Sequence, residues 1–160
     1  MIKTVAILGD TGNFFAELVK ALMKQDLRLL FVSEDEEHDL NIINNLEQTE
    51  AVAEVEFTGC EHDGCWEADI ILINQPQNIS CSLIERIKEV ATQKVVLLVS
   101  GNKLQFEELD FKKLLPHSKV VEVFVDLQKM EFSVSGKDPE AIAGVEAIFA
   151  NACFEIQRCL

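Results

Sequence analysis

Short apolar runs alternate with amphipathic stretches along this chain. Apolar and β-branched residues bounded by turn signals predict strands at about 3–9, 27–32, 51–57, 69–74, 94–99, 119–125 and 130–135. Between them, helical spacing predicts helices near 12–25, 38–48, 79–91 and 104–115. Phe14, Phe15, Leu18, Val19, Leu22 and Met23 share one face of the first helix. Leu83, Ile84, Ile87, Val90 and Ala91 do the same in the third. Further on, Asp138 suits an N-cap and Pro139 the first helical position, so another helix is expected there. Ile142, Val145, Phe149 and Ala152 form its apolar stripe, and a short strand at 153–158 is expected to close the chain.

Two strand segments are apolar almost without interruption: Ile70-Ile71-Leu72-Ile73 and Val95-Val96-Leu97-Leu98-Val99. Such strands are covered on both faces. Alternation of β and α with doubly buried strands predicts an α/β fold, a doubly wound and mostly parallel sheet.

Composition narrows this picture. The 160 residues suggest one domain spanning 1–160, burying roughly 70% of its unfolded surface. No apolar run approaches the ~20 residues that span a bilayer, and the start lacks the pattern of a signal peptide. Five cysteines (Cys60, Cys65, Cys81, Cys153 and Cys159) are an odd number without framework spacing. Reduced thiols and a cytoplasmic location are expected. The net charge of −14 argues against nucleic acid and membrane surfaces as partners. An anionic cofactor stays compatible, because binding at a helix N-terminus is local.

The first strand carries the candidate chemistry. Ile2-Lys3-Thr4-Val5-Ala6-Ile7-Leu8 runs into Gly9, then Asp10, Thr11, Gly12 and Asn13, with a helix pattern directly after. That is the layout of a dinucleotide-binding β-turn-α unit. The first glycine permits the tight turn, the second admits a pyrophosphate, and the helix N-terminus faces the anion. Phe15 stands where close helix–strand packing usually asks for a third glycine. Its ring either is accommodated by the packing or occupies cofactor space. Asn74, Gln75 and Pro76 follow the fourth strand, and Ser100, Gly101 and Asn102 follow the fifth. Both sets fall at the carboxyl edge of the sheet, where open α/β folds bind ligands. They read equally well as strand-to-helix turns.

In order along the chain, these motifs resemble the NADP oxidoreductases that use the deazaflavin coenzyme F-420. The residues that carry the resemblance are Gly9-Asp10-Thr11-Gly12-Asn13 and Ala68-Asp69-Ile70-Ile71-Leu72-Ile73-Asn74-Gln75-Pro76. Leu115-Pro116-His117-Ser118-Lys119-Val120-Val121-Glu122-Val123-Phe124 and Phe132-Ser133-Val134-Ser135-Gly136-Lys137-Asp138-Pro139 complete it. The resemblance implies an NAD(P)-binding Rossmann-like fold and hydride transfer between a nicotinamide cofactor and an acceptor. Relatives usually place an arginine beside the serine that follows the second strand, for the 2′-phosphate of NADP. Here Ser33 is followed by Glu34. A carboxylate suits a free ribose 2′-OH, so NAD is expected over NADP. Glu34 to Glu37 equally reads as a solvated acidic turn. Family members continue into a segment that helps hold the deazaflavin. This sequence ends at Leu160, so that part is expected to be absent or supplied by a partner.

Cys60, His62 and Cys65 are suitable metal ligands, yet their spacing matches no standard zinc knuckle. They read as a reduced loop with incidental cysteines, and no metal is expected. Neither G-x-S-x-G nor H-E-x-x-H occurs. The chain has no tyrosine, which excludes a tyrosine acid. Three readings follow: an NAD(P)-dependent oxidoreductase or its nucleotide-binding half; a Rossmann-like domain that has lost its ligand and acts through partners; and a shortened relative of prephenate-type dehydrogenases. A homodimer through the helix bearing Ile142, Val145 and Phe149, or the segment after it, is expected, with a monomer as the alternative.

Overall fold

The computed structural model describes residues 2–9, 15–33, 36–45, 52–76, 79–101, 111–126, 128–129, 131–151 and 155–156. Strands and helices alternate as the pattern predicts. β1 (Lys3–Gly9), α1 (Phe15–Met23), β2 (Leu27–Val32), α2 (Glu36–Asn45) and β3 (Glu54–Thr58) build the first half. α3 (Glu61–Glu67), β4 (Ile70–Asn74), α4 (Cys81–Ile87), β5 (Val95–Ser100), α5 (Phe111–Leu114) and β6 (Lys119–Asp126) continue. β7 (Glu131–Gly136), α6 (Pro139–Asn151) and β8 (Glu155–Ile156) follow.

All eight strands form one sheet in the order β3-β2-β1-β4-β5-β6-β7-β8. β7 runs antiparallel to β6, and every other pairing is parallel. The order reverses between β1 and β4, which makes that junction the topological switch point.

The sheet separates two apolar layers because successive side chains of a strand face opposite ways. Val5, Ile7, Leu29, Phe31 and Leu72 pack with Phe15, Leu18 and Leu22 of α1 and with Val145 and Phe149 of α6. Ala6, Leu8, Ile71, Ile73 and Leu98 face the other way, against Cys65, Ile84, Ile87 and Phe111. β4 is buried at every position for this reason. At the amino end of the sheet, Asp69 clamps β1 to β4. Its carboxylate accepts from the Thr4 amide at 2.8 Å, and its own amide donates to the Thr4 carbonyl at 2.8 Å.

Two helix starts behave as their residue types require. Asp138 accepts from the Ala141 amide at 2.8 Å, the expected N-cap of α6. Ser80 accepts from the Leu83 amide at 3.3 Å and caps α4.

Three expectations are corrected. Beyond Cys60, which is extended, the segment to Cys65 is helical and not a loop. α3 has little apolar periodicity to announce it, and tertiary contacts hold it. A side chain at Gly64 would press on Val32 Cγ2 at 2.7 Å, so only glycine lets α3 lie this close to the sheet. The Lys94 ammonium donates to the carbonyls of Cys65 at 2.5 Å and Trp66 at 2.6 Å, neutralising the helix C-terminus. The expected helix near 79–91 is regular only over α4, and residues 88–93 follow as turns. Of the apolar stripe of α6, Val145 and Phe149 belong to the protomer's own core, Ile142 is half-buried, and Ala152 lies outside the described residues. Val145 and Phe149 are buried, and Phe149 packs on Phe132 with ring centroids 5.2 Å apart. Those two side chains are therefore closed to a second subunit.

Candidate functional site

The candidate residues that the structure describes converge on the carboxyl edge of the parallel strands. Gly9 ends β1 and pairs in register with Asn74, which ends β4. Asn74 pairs with Val99, and the next residue, Ser100, ends β5. The Gln75 amide donates to the Val99 carbonyl at 2.9 Å, so the chain leaving β4 stays hydrogen-bonded to β5. Ser33 follows β2 on the same edge, and its amide donates to the Thr58 carbonyl of β3 at 3.0 Å. Gly9, Ser33, Asn74, Gln75, Pro76 and Ser100 thus share one rim around the switch point. Asp10, Thr11, Gly12, Asn13 and Glu34 lie outside the described residues, as does Asn102.

Backbone conformation explains two of these residues. Gly9 has φ +104, a region closed to side chains, and a Cβ there would run into the backbone carbonyl of Asn74. The glycine is thus required by the close approach of β1 and β4 as the chain turns toward α1. Gln75 adopts φ 55 although it is not glycine. Left-handed backbone at such a residue is uncommon and collects at functional sites.

The second signal is polarity. Only Thr4, Asn74, Gln75 and Ser100 are buried polar residues among those described. Three of the four lie on this rim, in a sheet whose interior is otherwise apolar. Buried amide and hydroxyl groups are costly unless hydrogen-bonded, so their concentration at this edge singles it out as the candidate site. None of the described rim residues titrates near neutral pH. Their chemistry is that of neutral hydrogen-bonding groups, which can hold a ribose, an amide or a phosphate ester.

Phe15 is resolved in favour of the core. It is buried and meets Phe31 of β2 edge-on, centroids 6.3 Å apart. Phe31 in turn stacks on Phe57 of β3 at 5.5 Å. The ring at the usual third-glycine position extends an aromatic row beneath β2 and β3.

The Cys60, His62 and Cys65 trio does not assemble. Cys60 is exposed and Cys65 is buried against the sheet. Burial pushes the Cys65 thiol up to about 12. Among the described residues, no group of three metal-capable side chains comes together. The one feature of the rim that sequence reasoning missed is the left-handed turn at Gln75. Its only sequence signal is the Gln-Pro step after an apolar strand, which does not specify φ.

No protein-family model matches this sequence, and no curated protein matches it. Similarity to solved structures is extensive and defines the fold as that of the Rossmann-like NAD(P)-dependent dehydrogenases and reductases. Arogenate dehydrogenase from Synechocystis superposes with a TM-score of 0.72 at 14% identity, over 98% of this chain and 59% of its own. A protein assigned as an F-420-dependent NADP reductase, from an Arthrobacter species, gives 0.68 at 14% identity, over 98% of this chain and 83% of its own. Pyrroline carboxylate reductase from Plasmodium falciparum, solved with NADP bound, gives 0.63 at 16% identity, over 99% and 58%. The chain therefore spans somewhat more than half of two of these relatives. No described helix is long and apolar enough to cross a membrane.

Proposed function

We propose that the rim around Gly9, Asn74, Gln75 and Ser100 binds a nicotinamide dinucleotide, and that the protein is a cytoplasmic oxidoreductase or the nucleotide-binding half of one. The observation that carries this reading is the cluster of buried polar groups at the switch point of a doubly wound sheet. The same fold in dinucleotide-dependent enzymes supports it. When bound, the dinucleotide supplies hydride chemistry of its own. This chain's part is to hold and orient it. Gly9 would carry the turn that brings the N-terminus of α1 toward the pyrophosphate, with Asp10, Thr11, Gly12 and Asn13 as the intervening loop. Asn74, Gln75 and Ser100 would offer hydrogen bonds to ribose and amide groups, and Pro76 an apolar wall. Ser33 and Glu34 would meet the adenosine ribose, which favours NAD over NADP. The resemblance to deazaflavin-dependent reductases makes F-420 the first acceptor to assay.

Thermal unfolding with and without dinucleotide tests this. A ligand at a hundred times its Kd adds about 2.7 kcal/mol, a rise of roughly 5–10 °C in Tm for a domain of this size. NADH is expected to raise Tm more than NADPH, and Glu34→Arg to reverse the order. No shift with either dinucleotide overturns the reading.

A further inference from the structure

The opposite, amino-terminal edge of the sheet carries a different kind of site. A cavity of about 190 Å³ opens where α5, the turn after it, the start of β6 and the approach to α6 meet. Among the described residues, Lys112, Lys119 and Lys137 line it together with one carboxylate, Asp138. A second cavity of about 240 Å³ shares Lys119 and adds Lys3 and Glu140. Among the described residues, four lysines and two acidic residues thus line the two cavities.

That balance is out of proportion to the molecule. The chain holds 14 lysines and arginines against 28 aspartates and glutamates. A cavity drawn at random from such a surface would carry more acids than bases. The one carboxylate in the first cavity is also engaged. Asp138 spends Oδ1 on the Ala141 amide at 2.8 Å, and its Oδ2 is 3.9 Å from the Lys119 ammonium. Lys112 and Lys137 form no ion pair among the described residues. Three like charges gathered around a concave surface repel one another unless an anion lies between them.

We propose that this cavity binds a small oxyanion, a phosphate or carboxylate group, between Lys112, Lys119 and Lys137. It is separate from the dinucleotide rim. Lys119 starts β6, whereas Phe124 of the same strand lies beside Ser100 on the rim. Five residues of strand separate the two, roughly 16 Å at 3.3 Å per residue. The polar lining comes from α5, the start of β6 and the residues just after β7.

The test is a titration of the ¹⁵N-labelled full chain with inorganic phosphate, and separately with succinate, at constant ionic strength. Saturable shifts are expected at the amides of Lys112, Ser118, Lys119, Lys137 and Asp138 at concentrations up to about 20 mM. A stronger response to phosphate identifies a phosphate ester as the ligand group, and a stronger response to succinate a carboxylate. The double variant Lys112→Gln, Lys137→Gln changes two exposed side chains and should fold. It is expected to weaken binding about fivefold or more. Absence of saturable shifts with both anions, shifts confined to Gly9 and Asn74, or unchanged affinity in the double variant would each overturn the proposal. The outcome is independent of dinucleotide binding, which is read at the other edge.

Discussion

Gly9 is the residue on which the rim depends most directly. Its backbone conformation excludes a side chain, and the space a Cβ would take is held by the backbone of Asn74. Neither strand can yield without breaking the β1–β4 register. Gly9→Ala is therefore expected to cost about 2–4 kcal/mol in urea unfolding, from the combined backbone strain and overpacking. Unchanged stability would show that β1 and β4 are further apart than described. The glycine was legible in the sequence as a turn residue. That it is needed for the approach of Asn74 was not, because Asn74 lies 65 residues away and only strand order brings it alongside.

At the scale of elements, α3 shows how tertiary contacts override weak local signals. It is docked by Gly64, by the Lys94 ammonium at its C-terminus, and by the Arg86–Glu61 ion pair with N···O 2.8 Å. Its buried thiol gives the docking a pH signature. Folded Cys65 keeps its proton to about 12, whereas the unfolded thiol releases it near 9. Above pH 9 the unfolded chain binds fewer protons at this site, so stability falls as pH rises from about 9 toward 12. The contribution is fully present below pH 9. Lys94 acts in the opposite sense, because burial lowers its pKa and the unfolded chain then holds the extra proton. Comparing wild type with Cys65→Ala isolates the thiol. Wild type is expected to lose about 2 kcal/mol more than the variant between pH 9 and pH 11 in urea titrations. Parallel pH profiles would mean that Cys65 is solvated.

For the whole molecule, the sheet topology sets the two proposed sites at opposite edges and gives them different charge. The neutral polar rim lies at the carboxyl edge, and the lysine-lined cavities at the amino edge. Topology also redirects the question of assembly. Val145 and Phe149 of α6 cover the sheet of their own protomer, so those two side chains are not available to a dimer contact. The outward positions of α6 include Glu140, Ala143, Ala147 and Ala150, with Ile142 and Ile148 half-buried. A homodimer through the outward side of α6 or the segment after it remains our proposal, and light scattering at micromolar concentration is expected to give twice the mass of the chain. A mass of 18.0 kDa there overturns it.

The sequence by itself determined the alternation of strands and helices, the doubly buried central strands and the placement of Gly9, Asn74 and Ser100 at strand ends. These follow from local periodicity and from residues whose conformational needs are intrinsic, such as glycine in a turn or Asp138 at an N-cap. Only the tertiary structure decided where Phe15 goes, since its fate depends on Phe31 and Phe57 across the sheet. It also decided that residues 61–67 are helical and that Val145 and Phe149 of α6 are internal. Each of these rests on contacts between segments far apart in the chain, and no local pattern encodes which distant segment will be the neighbour.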